Sequence, residues 1–568
     1  MRKVVLLIGV VLMSLAASAQ NKGLDGAQQS KPQHKGPHPV RFKQISRSMP
    51  KEWYATDEAM AAADSVIKFQ FPSGGWGKNH DWHVAPEGKR VKERQEIWEQ
   101  IHSKSGVGAT IDNGATTTEM LLLAKVYSAT GKKKYLDEAK FLLDYRGKTN
   151  IKNSYSQSHK PVVEQDEAVG HAVRATYMYA GMADVAALTG DSAYIQAIDR
   201  IWQNIVGKKL YITGGIGATS DGEAFGRNYE LPNMSAYCET CAAIGNVYVN
   251  YRLFLLHGES KYYDVLERTL YNGLISGVSL QGDGFFYPNP LESMGQHQRQ
   301  PWFGCACCPS NICRFIPSLP GYVYATADKK IYINLFLANS ATLNIGGKKV
   351  GLTQQTNYPW NGDISVIIDK NQAGSFTLKL RLPGWLQNRP TPSDLYRYTD
   401  DKQLGYKVSI NGKDIDAQLT ADGYLTIDRK WKKGDRVDLH FDMEPRIVRA
   451  NSNVEADRGR VAVERGPLVY CAEHPDNDFD IFSALMSQKP TFNLKENQVA
   501  GNKIVMLTTD VQTLDFNKQG QLVVTDQKLT LIPYYAWCHR GSGKMRIWLP
   551  QDLSATTPAM PATMASVK

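Results

Sequence analysis

Residues 187–194 read "ALTGDSAY", in which an apolar helix end is followed by a glycine, three further residues and a tyrosine. The same order recurs as "SATGKKKY" at 128–135 and "LLHGESKY" at 255–262. Glycine at this place suits a left-handed helix C-cap, and the tyrosine can pack across the helical hairpin. The glycines are 59 and 68 residues apart, which is the length of a helix pair with its loops. Repeated hairpins over about 55–325 predict a toroid of paired helices or a solenoid.

After about residue 326 the apolar residues recur with a period of two. Segments such as "FTLKLRL" (376–382) and "RVDLHFDM" (436–443) alternate apolar and polar residues, with Gly, Pro and Asn turns between them. This pattern is typical of antiparallel strands with one buried face. We therefore predict a mainly helical domain followed by β-sandwich domains.

The amino-terminal residues carry an export signal. Arg2 and Lys3 precede the apolar run "VVLLIGVVLMSLA", and Ala17-Ser18-Ala19 supplies a small-residue cleavage site. This order is typical of a secretory signal peptide. Because no later run of eighteen apolar residues follows, we expect no membrane span and an exported protein, periplasmic or extracellular.

Composition excludes few classes of function. The 568-residue chain is 42% hydrophobic and has a formal charge of +10 with a pI near 8.9, which favours anionic partners in general. After the leader there is no block of five or more Lys or Arg residues, so we expect no nucleic-acid partner. The predicted organisation is a signal peptide at 1–19, a disordered lead-in at 20–45, a helical domain at 46–325, a β-sandwich at 326–445, a second small β domain at 446–552 and a flexible tail at 553–568.

Six of the eight cysteines lie in two short segments, "YCETC" (237–241) and "CACCPSNIC" (305–313). A C-x-x-C segment paired with a distant C-x-C-C segment resembles a zinc framework, because thiolates and a carboxylate satisfy a tetrahedral ion. Two or three disulfides are the competing interpretation, since export makes disulfides available. Two acids are placed to take part: Glu239 lies between two of the cysteines, and Glu223 lies sixteen residues upstream in "DGEAFG".

Several longer blocks carry a family resemblance. They are "EQDEAVGHAVRATYMYAGMADVAALTG", "KLYITGGIGA", "GEAFG", "ELPNMSAYCETCAAIGN", "FFYPNPLES", "WFGCACCPSN" and "RVAVERGPLVYCAE". Together they resemble glycoside hydrolase family 127, the β-L-arabinofuranosidase family, over about 120–548. The resemblance implies an (α/α)6-type catalytic toroid followed by β-sandwich domains.

The resemblance also implies a zinc ion held by Glu239, Cys241, Cys307 and Cys308. It implies a retaining mechanism with Cys307 as the nucleophile and Glu223 as the general acid/base, while His171 and Tyr287 match sugar-contacting positions. The assignment is chemically sensible, because zinc ligation holds a thiol as the nucleophilic thiolate. The remaining cysteines of the two segments, Cys238, Cys305 and Cys313, are expected to be buried structural thiols.

The amino-terminal part of the helical domain departs from this pattern. "FPSGGWGKNHDW" (71–82) and "ATIDNGATTTEMLLLAKVYSATG" (109–131) resemble the start of family 10 pectate lyases, so a pectate-lyase-like start is expected at residues 46–130. The lyase family's catalytic residues lie in a later half that this chain lacks. A junction between the two resemblances is expected near 118–140.

We therefore expect a secreted retaining glycoside hydrolase. It would release β-L-arabinofuranose, or a closely related furanose, from plant oligosaccharides or polysaccharides of the cell wall, including pectin. The alternatives are a pectin-directed lyase-like protein and a non-catalytic, zinc-stabilised carbohydrate-binding protein. The sequence leaves a homodimer open.

Overall fold

The computed structural model describes residue 45 and residues 49–70, 75–76, 117–148 and 152–559. The signal peptide, the lead-in before residue 45, most of the 71–82 segment and the end of the tail lie outside these residues. The chain divides into two compact units. One comprises the described residues up to 153 together with 158–164, and the other comprises 154–157 and 165–559.

The described α-helices precede nearly all of the strands. They are α1 (Asp57–Lys68), α2 (Thr117–Thr130), α3 (Lys133–Tyr145), α4 (Ala172–Thr189), α5 (Ser192–Asn204), α6 (Thr240–His257), α7 (Lys261–Arg268) and α8 (Cys307–Phe315). None of the helices in the described ranges is both long and apolar enough to cross a membrane.

The helix ends are where the glycine–tyrosine repeat places them. Gly131, Gly190 and Gly258 follow α2, α4 and α6, with φ angles of +68°, +66° and +75°. Each glycine N–H bonds the carbonyl four residues earlier, so the left-handed residue closes the helix. The tyrosines that begin the partner helices are buried, including Tyr194 on α5 and Tyr262 on α7. The predicted helical hairpins are confirmed.

The first unit has its own core around α1, α2 and α3. Thr56 caps α1 by accepting a hydrogen bond from the N–H of Ala59 at 3.2 Å. Trp76 is fully buried, and its indole N–H donates to the carbonyl of Val66 at 2.9 Å. These residues pack with apolar side chains from the facing sides of α2 and α3, so this unit buries an apolar stripe from each helix.

The described strands are β1 (Glu292–Met294), β2 (Tyr324–Ala327), β3 (Lys330–Ile333), β4 (Asn339–Ile345), β5 (Lys348–Thr356), β6 (Asp363–Asn371), β7 (Ser375–Arg381), β8 (Tyr396–Tyr398), β9 (Tyr406–Ile410), β10 (Lys413–Asp414), β11 (Gln418–Leu419), β12 (Tyr424–Lys430), β13 (Arg436–Phe441), β14 (Pro445–Ala450), β15 (Arg460–Arg465), β16 (Leu468–Glu473), β17 (Ala484–Met486), β18 (Asn493–Val499), β19 (Asn502–Phe516), β20 (Leu522–Pro533), β21 (Lys544–Arg546) and β22 (Leu549–Pro550). The predicted order, a helical domain and then sheets, is confirmed.

Two sheets form between residues 324 and 441. The first has the order β10-β9-β13-β6-β5-β4 and is antiparallel throughout. The second has the order β11-β12-β7-β3-β2, with β3 and β7 parallel. Strand β13 shows the alternation that predicted it, because Val437, Leu439 and Phe441 are buried while Arg436 and His440 are exposed.

The third sheet draws strands from three parts of the chain. Its main order is β17-β19-β20-β16-β15-β14-β8, and β1, β18, β21 and β22 pair along it. Strand β1 comes from the helical domain and pairs β21, with Glu292 opposite Arg546. This sheet therefore ties the segment between α7 and α8 to the carboxyl-terminal domain.

Buried ion pairs tie α7 to both β regions. Arg381 on β7 is fully buried and contacts Asp264 at 3.0 Å and Glu267 at 2.5 Å. Arg268, at the end of α7, contacts Glu464 on β15 at 2.5 Å. Breaking such a buried pair leaves an uncompensated charge, so these contacts hold α7 in one place. Because α7 packs on α6, they also support the helix that begins at the cysteine cluster.

Candidate active site

The amino-terminal end of α6 carries the first two residues of the cluster. Glu239 is the N-cap residue, and its carbonyl accepts from the N–H of Ala243 at 3.0 Å. Cys241 follows in the first turn, and both side chains are buried. Positioning a carboxylate and a thiol at this helix end is favourable for their charged forms, because the helix dipole is positive there.

The amino-terminal end of α8 supplies the other two residues. Cys307 and Cys308 are its first two residues, and the Sγ of Cys308 is 3.4 Å from Oε1 of Glu239. The Sγ of Cys307 is 3.9 Å from the same oxygen and 2.9 Å from the hydroxyl of Tyr287. When the Cys307 sulfur is a thiolate, the phenol is the donor in this contact. Two helix starts thus converge on Glu239.

These four residues can hold a metal ion. One donor atom from each of Glu239, Cys241, Cys307 and Cys308 lies within 4.8 Å of the others. All eight cysteines of the chain are described, and all are free thiols, which does not support the disulfide interpretation. The second oxygen of Glu239, Oε2, is buried without a hydrogen-bond partner, as expected for a ligand position. Three sulfurs and one carboxylate suit a tetrahedral soft-metal site, so the donor set fits.

Burial and hydrogen bonds shift the pKa values of the cluster in opposite directions. Burial, with the nearby Glu223 and Cys307, raises the pKa of Glu239 to about 8. Burial also raises the pKa of Cys308. Hydrogen bonds from Cys241 and Cys308, with a smaller contribution from Tyr287, lower the pKa of the Cys307 thiol. Cys307 is therefore the sulfur of this cluster that its neighbours hold as a thiolate.

Glu223 lies beside this cluster on a strained turn. Its φ is +49°, a region that non-glycine residues rarely adopt and that often marks functional sites. The turn is held because Ala224 pairs with both Thr219 and His171 in isolated β-bridges. Strain of this kind persists only where the surrounding structure imposes it. The fold therefore fixes the position of the Glu223 carboxylate.

Two side chains hold the Glu223 carboxylate. Nε2 of His171 is 2.9 Å from Oε2, and the hydroxyl of Tyr237 donates to Oε1 at 2.9 Å. Burial, reinforced by Arg174, lowers the pKa of His171, so the imidazole is neutral near pH 7. A neutral imidazole can donate to a carboxylate or, as the other tautomer, accept from a carboxylic acid. The contact therefore suits both protonation states of Glu223.

Tyr287 is positioned by backbone contacts to the start of α6. The N–H of Thr240 donates to the carbonyl of Tyr287 at 3.0 Å, and its hydroxyl donates to the carbonyl of Phe286 at 2.9 Å. Asn289 adds bonds to the carbonyl of Cys238 and to Oγ1 of Thr240. The "FFYPNP" segment and the "CETC" segment are therefore one rigid assembly, which places the Tyr287 hydroxyl at Cys307.

The structure brings together all seven residues named from the sequence. Glu239, Cys241, Cys307 and Cys308 form the cluster, Tyr287 contacts Cys307, and His171 contacts Glu223. His171, Glu223 and Glu239 also form a second set of donor atoms within 4.8 Å. Glu239 is thus shared between the thiol side and the acid side of the site.

Sequence reasoning missed some residues and misplaced others. Tyr237 was not predicted as a partner of Glu223, although it precedes the "CETC" motif directly. The expectation of burial holds for Cys238 but is wrong for Cys305 and Cys313, which are exposed. On α8 the buried residues Cys308, Ile312 and Phe315 share one helical face, and Cys313 lies outside it.

This arrangement matches the chemistry of a retaining glycoside hydrolase. Retention uses one group that attacks the anomeric carbon and a second group that gives and takes the proton of the leaving oxygen. Here a thiol whose neighbours favour the thiolate and a hydrogen-bonded carboxyl group both lie close to one buried carboxylate. The class of protein that the fold and the site define is therefore a glycoside hydrolase.

Comparisons with known proteins agree with this class. Family models match the β-L-arabinofuranosidase GH127 catalytic domain at residues 99–321, the GH127 middle domain at 330–443 and the family 127 carboxyl-terminal domain at 445–550. A non-reducing end β-L-arabinofuranosidase of Bifidobacterium longum subsp. longum is 34% identical over 481 residues, which are 75% of this chain and 70% of that protein.

Solved structures show the same likeness. A GH127 β-arabinofuranosidase is 59% identical with a TM-score of 0.76, over 84% of this chain and 76% of that one. A GH127 β-L-arabinofuranosidase from Geobacillus stearothermophilus is 31% identical with a TM-score of 0.70, over 91% and 92% of the two chains. The chain belongs to glycoside hydrolase family 127.

The match of the catalytic-domain model begins at residue 99. It therefore includes the whole 109–131 segment that also resembles pectate lyases. No finding tests the lyase resemblance, which stays a prediction.

Proposed function

We propose that the protein is a retaining β-L-arabinofuranosidase in which Cys307 attacks the anomeric carbon and Glu223 is the general acid/base. The observation that carries the proposal is that Glu239 belongs to two sets of donor atoms within 4.8 Å of one another: one set includes Cys307, and the other includes Glu223 and His171. The names of the similar proteins support the sugar, since all are β-arabinofuranosidases.

The first half-reaction forms a covalent intermediate. Protonated Glu223 donates its proton to the glycosidic oxygen while that oxygen leaves the anomeric carbon with the bonding electron pair. The thiolate of Cys307 attacks from the opposite face and forms a carbon–sulfur bond. The aglycone leaves as an alcohol, and Glu223 is left as a carboxylate.

The second half-reaction releases the sugar. The carboxylate of Glu223 removes a proton from a water molecule, whose oxygen attacks the anomeric carbon. The carbon–sulfur bond breaks, its electron pair returns to Cys307, and Glu223 is protonated again. Two inversions give net retention. His171 and Tyr237 hold the carboxyl group through both steps, and the Tyr287 hydroxyl stabilises the departing thiolate.

We further propose zinc as the ion for the four-residue cluster. Glu239, Cys241, Cys307 and Cys308 would hold it, because three sulfurs and a carboxylate match zinc better than the hard cations that prefer oxygen alone. When bound, zinc supplies positive charge that holds the coordinating sulfurs as thiolates near neutral pH. Elemental analysis of purified protein should find about one zinc per chain. A chain lacking any soft metal under reducing conditions would contradict this part of the proposal.

The mechanism is tested by trapping the nucleophile. A β-L-arabinofuranosyl analogue with an electrophilic anomeric carbon should label Cys307, and peptide mapping identifies the site. Cys307→Ser should lose several orders of magnitude in kcat on an aryl β-L-arabinofuranoside, because a hydroxyl is a poor nucleophile near neutral pH. Cys313→Ser is the matched control, since Cys313 lies on the exposed side of α8. A label on Glu223, or a Cys307→Ser variant of near-normal rate, would show that the thiol does not attack.

The leader and the sugar indicate where the enzyme acts and where its substrate comes from. We propose that residues 1–19 are removed on export and that the mature enzyme acts in the periplasm or outside the cell on plant cell-wall glycans. Amino-terminal sequencing of the mature protein should begin near Gln20. Unsaturated uronides released from pectate by the purified protein, without arabinose, would instead favour the lyase-like alternative.

A further inference from the structure

An exposed aromatic ring lies beside the proposed acid/base. Tyr155 is 39% exposed, and its ring centroid is 5.5 Å from that of His171, the residue bound to Glu223. A Cβ built at Gly222, the residue before Glu223, would lie 3.3 Å from Cδ2 of the Tyr155 ring. The ring therefore adjoins the Glu223 turn, and the residue is still more than a third exposed.

Tyr155 is rigidly held. The N–H of His171 donates to its carbonyl at 3.1 Å, and the buried amide of Gln157 donates to the same carbonyl at 2.9 Å. Gly170 allows the two segments to meet, because a Cβ there would lie 2.6 Å from the Cα of Tyr155. A ring fixed in this way can bind a ligand without losing conformational freedom.

A guanidinium group lies next to the Tyr155 ring. The Cζ atom of Arg174, in the first turn of α4, is 5.1 Å from the centroid of Tyr155. Arg174 is exposed, and no carboxylate in the described part of the chain forms an ion pair with it. An arginine with free donors next to an aromatic ring suits a planar carboxylate ligand.

The stereochemistry of retention says which part of the substrate reaches these residues. The attacking sulfur and the leaving oxygen lie on opposite faces of the anomeric carbon, and the acid must contact the leaving oxygen. The aglycone therefore departs on the Glu223 side, where Tyr155 and Arg174 lie. Trp302, which is 60% exposed, belongs instead to the loop that leads to Cys307.

We propose that Tyr155 and Arg174 form the aglycone subsite of the enzyme and that this subsite favours an aglycone with a carboxylate, such as a uronic acid residue. The inference rests on the proposed function. The apolar face of the aglycone ring packs on Tyr155, and its carboxylate pairs with Arg174. Aglycone binding then lowers the activation barrier, because binding energy from contacts away from the reacting carbon can stabilise the transition state.

The test uses three β-L-arabinofuranosides that differ only in the leaving group: 4-carboxyphenyl, 4-carbamoylphenyl and azide. The two aryl groups match in shape and differ in charge, and the azide has no ring to bind. Wild type should prefer the carboxylate over the amide by about three- to fivefold in kcat/KM, the effect of one exposed ion pair. Arg174→Gln should bring this ratio to about one, and Arg174→Lys should keep part of it.

Tyr155→Ala should lower the aryl-to-azide ratio of kcat/KM by about three- to tenfold, the energy of one aromatic contact, and Tyr155→Phe should restore it. Tyr406→Ala, at an exposed tyrosine of the middle domain, is the matched control and should change neither ratio. An unchanged carboxylate preference in Arg174→Gln would overturn the inference. So would an equal loss on azide and aryl substrates in Tyr155→Ala, or a larger loss of the aryl-to-azide ratio in Trp302→Ala. If wild type hydrolyses none of the three substrates, the proposed function itself fails, which is a separate result.

Discussion

The two glutamates of the site should differ in their effects on metal binding and catalysis when each is changed to glutamine. Glu239 contacts the sulfurs of Cys307 and Cys308, whereas the Glu223 carboxylate is bound by His171 and Tyr237 and by none of the thiols. Glutamine keeps the shape of each side chain and removes its negative charge and its acidity. We therefore expect Glu239→Gln to weaken metal binding and Glu223→Gln to leave the metal bound while removing proton transfer.

The size of each effect follows from burial and role. Glu239 is only 2% exposed, so with zinc bound its carboxylate would belong to a desolvated set of ligands. Removing one partner from a buried set of charges costs about 3 to 5 kcal/mol. At 1.36 kcal/mol for each factor of ten, metal affinity should fall by about two to three and a half orders of magnitude. Loss of a general acid/base should cost Glu223→Gln about 10²- to 10⁴-fold in kcat.

The assay is competition for zinc against a chromophoric chelator under reducing conditions, with kcat measured on the same samples. Glu223→Gln should retain wild-type zinc affinity within about threefold, and an added nucleophile such as azide should partly restore turnover of an activated aryl substrate. The assignment would be refuted if Glu239→Gln bound zinc as tightly as wild type while Glu223→Gln lost it. The two carboxylates would then have to exchange roles.

Two further predictions concern stability. Arg381→Ala should lower the free energy of unfolding by about 3 to 5 kcal/mol, because Asp264 and Glu267 would be left buried without their partner; a melting temperature equal to that of wild type would contradict this. Asp457 is buried, accepts a hydrogen bond from Asn233 and has a pKa raised to about 7 by burial. The native state holds this proton more tightly than the unfolded state, so its contribution is full below about pH 4 and is lost as the pH rises to about 7, at most about 4 kcal/mol. Asp457→Asn keeps the acceptor and should be stabilised relative to wild type at pH 8 but not at pH 4, as measured by thermal unfolding.

Local features were predictable because they depend on neighbouring residues. The glycines after α2, α4 and α6 adopt the left-handed conformation expected of them, since that preference is set by the absence of a Cβ. Strand periodicity after residue 326 is likewise a local pattern, because alternate side chains of a strand face opposite sides. The site residues depended on the family resemblance, since cysteine spacing alone left metal binding and disulfides both open.

Which cysteines of the two segments are buried could not be predicted from the local sequence. Cys305 and Cys313 lie within a few residues of the buried Cys308, yet both are exposed. Which face of α8 is covered depends on the helices packed against it, and those come from distant parts of the chain. Spacing therefore indicated a group of cysteines but did not show which of their thiols are buried.

By itself, the sequence determined the order of helices and strands, the ends of the helical hairpins and, through long shared blocks, the family. The order of the elements and the hairpin ends follow from backbone preferences and apolar periodicity over a few residues, whereas the family follows from the shared blocks. Only the tertiary structure decided that Glu239 lies close to both the thiols and Glu223, that Tyr237 and His171 bind the Glu223 carboxylate, and that the Tyr155 ring contacts His171. These contacts join segments far apart in the chain. Their geometry is set by how two helix starts and a strained turn pack together, and no local pattern encodes that packing.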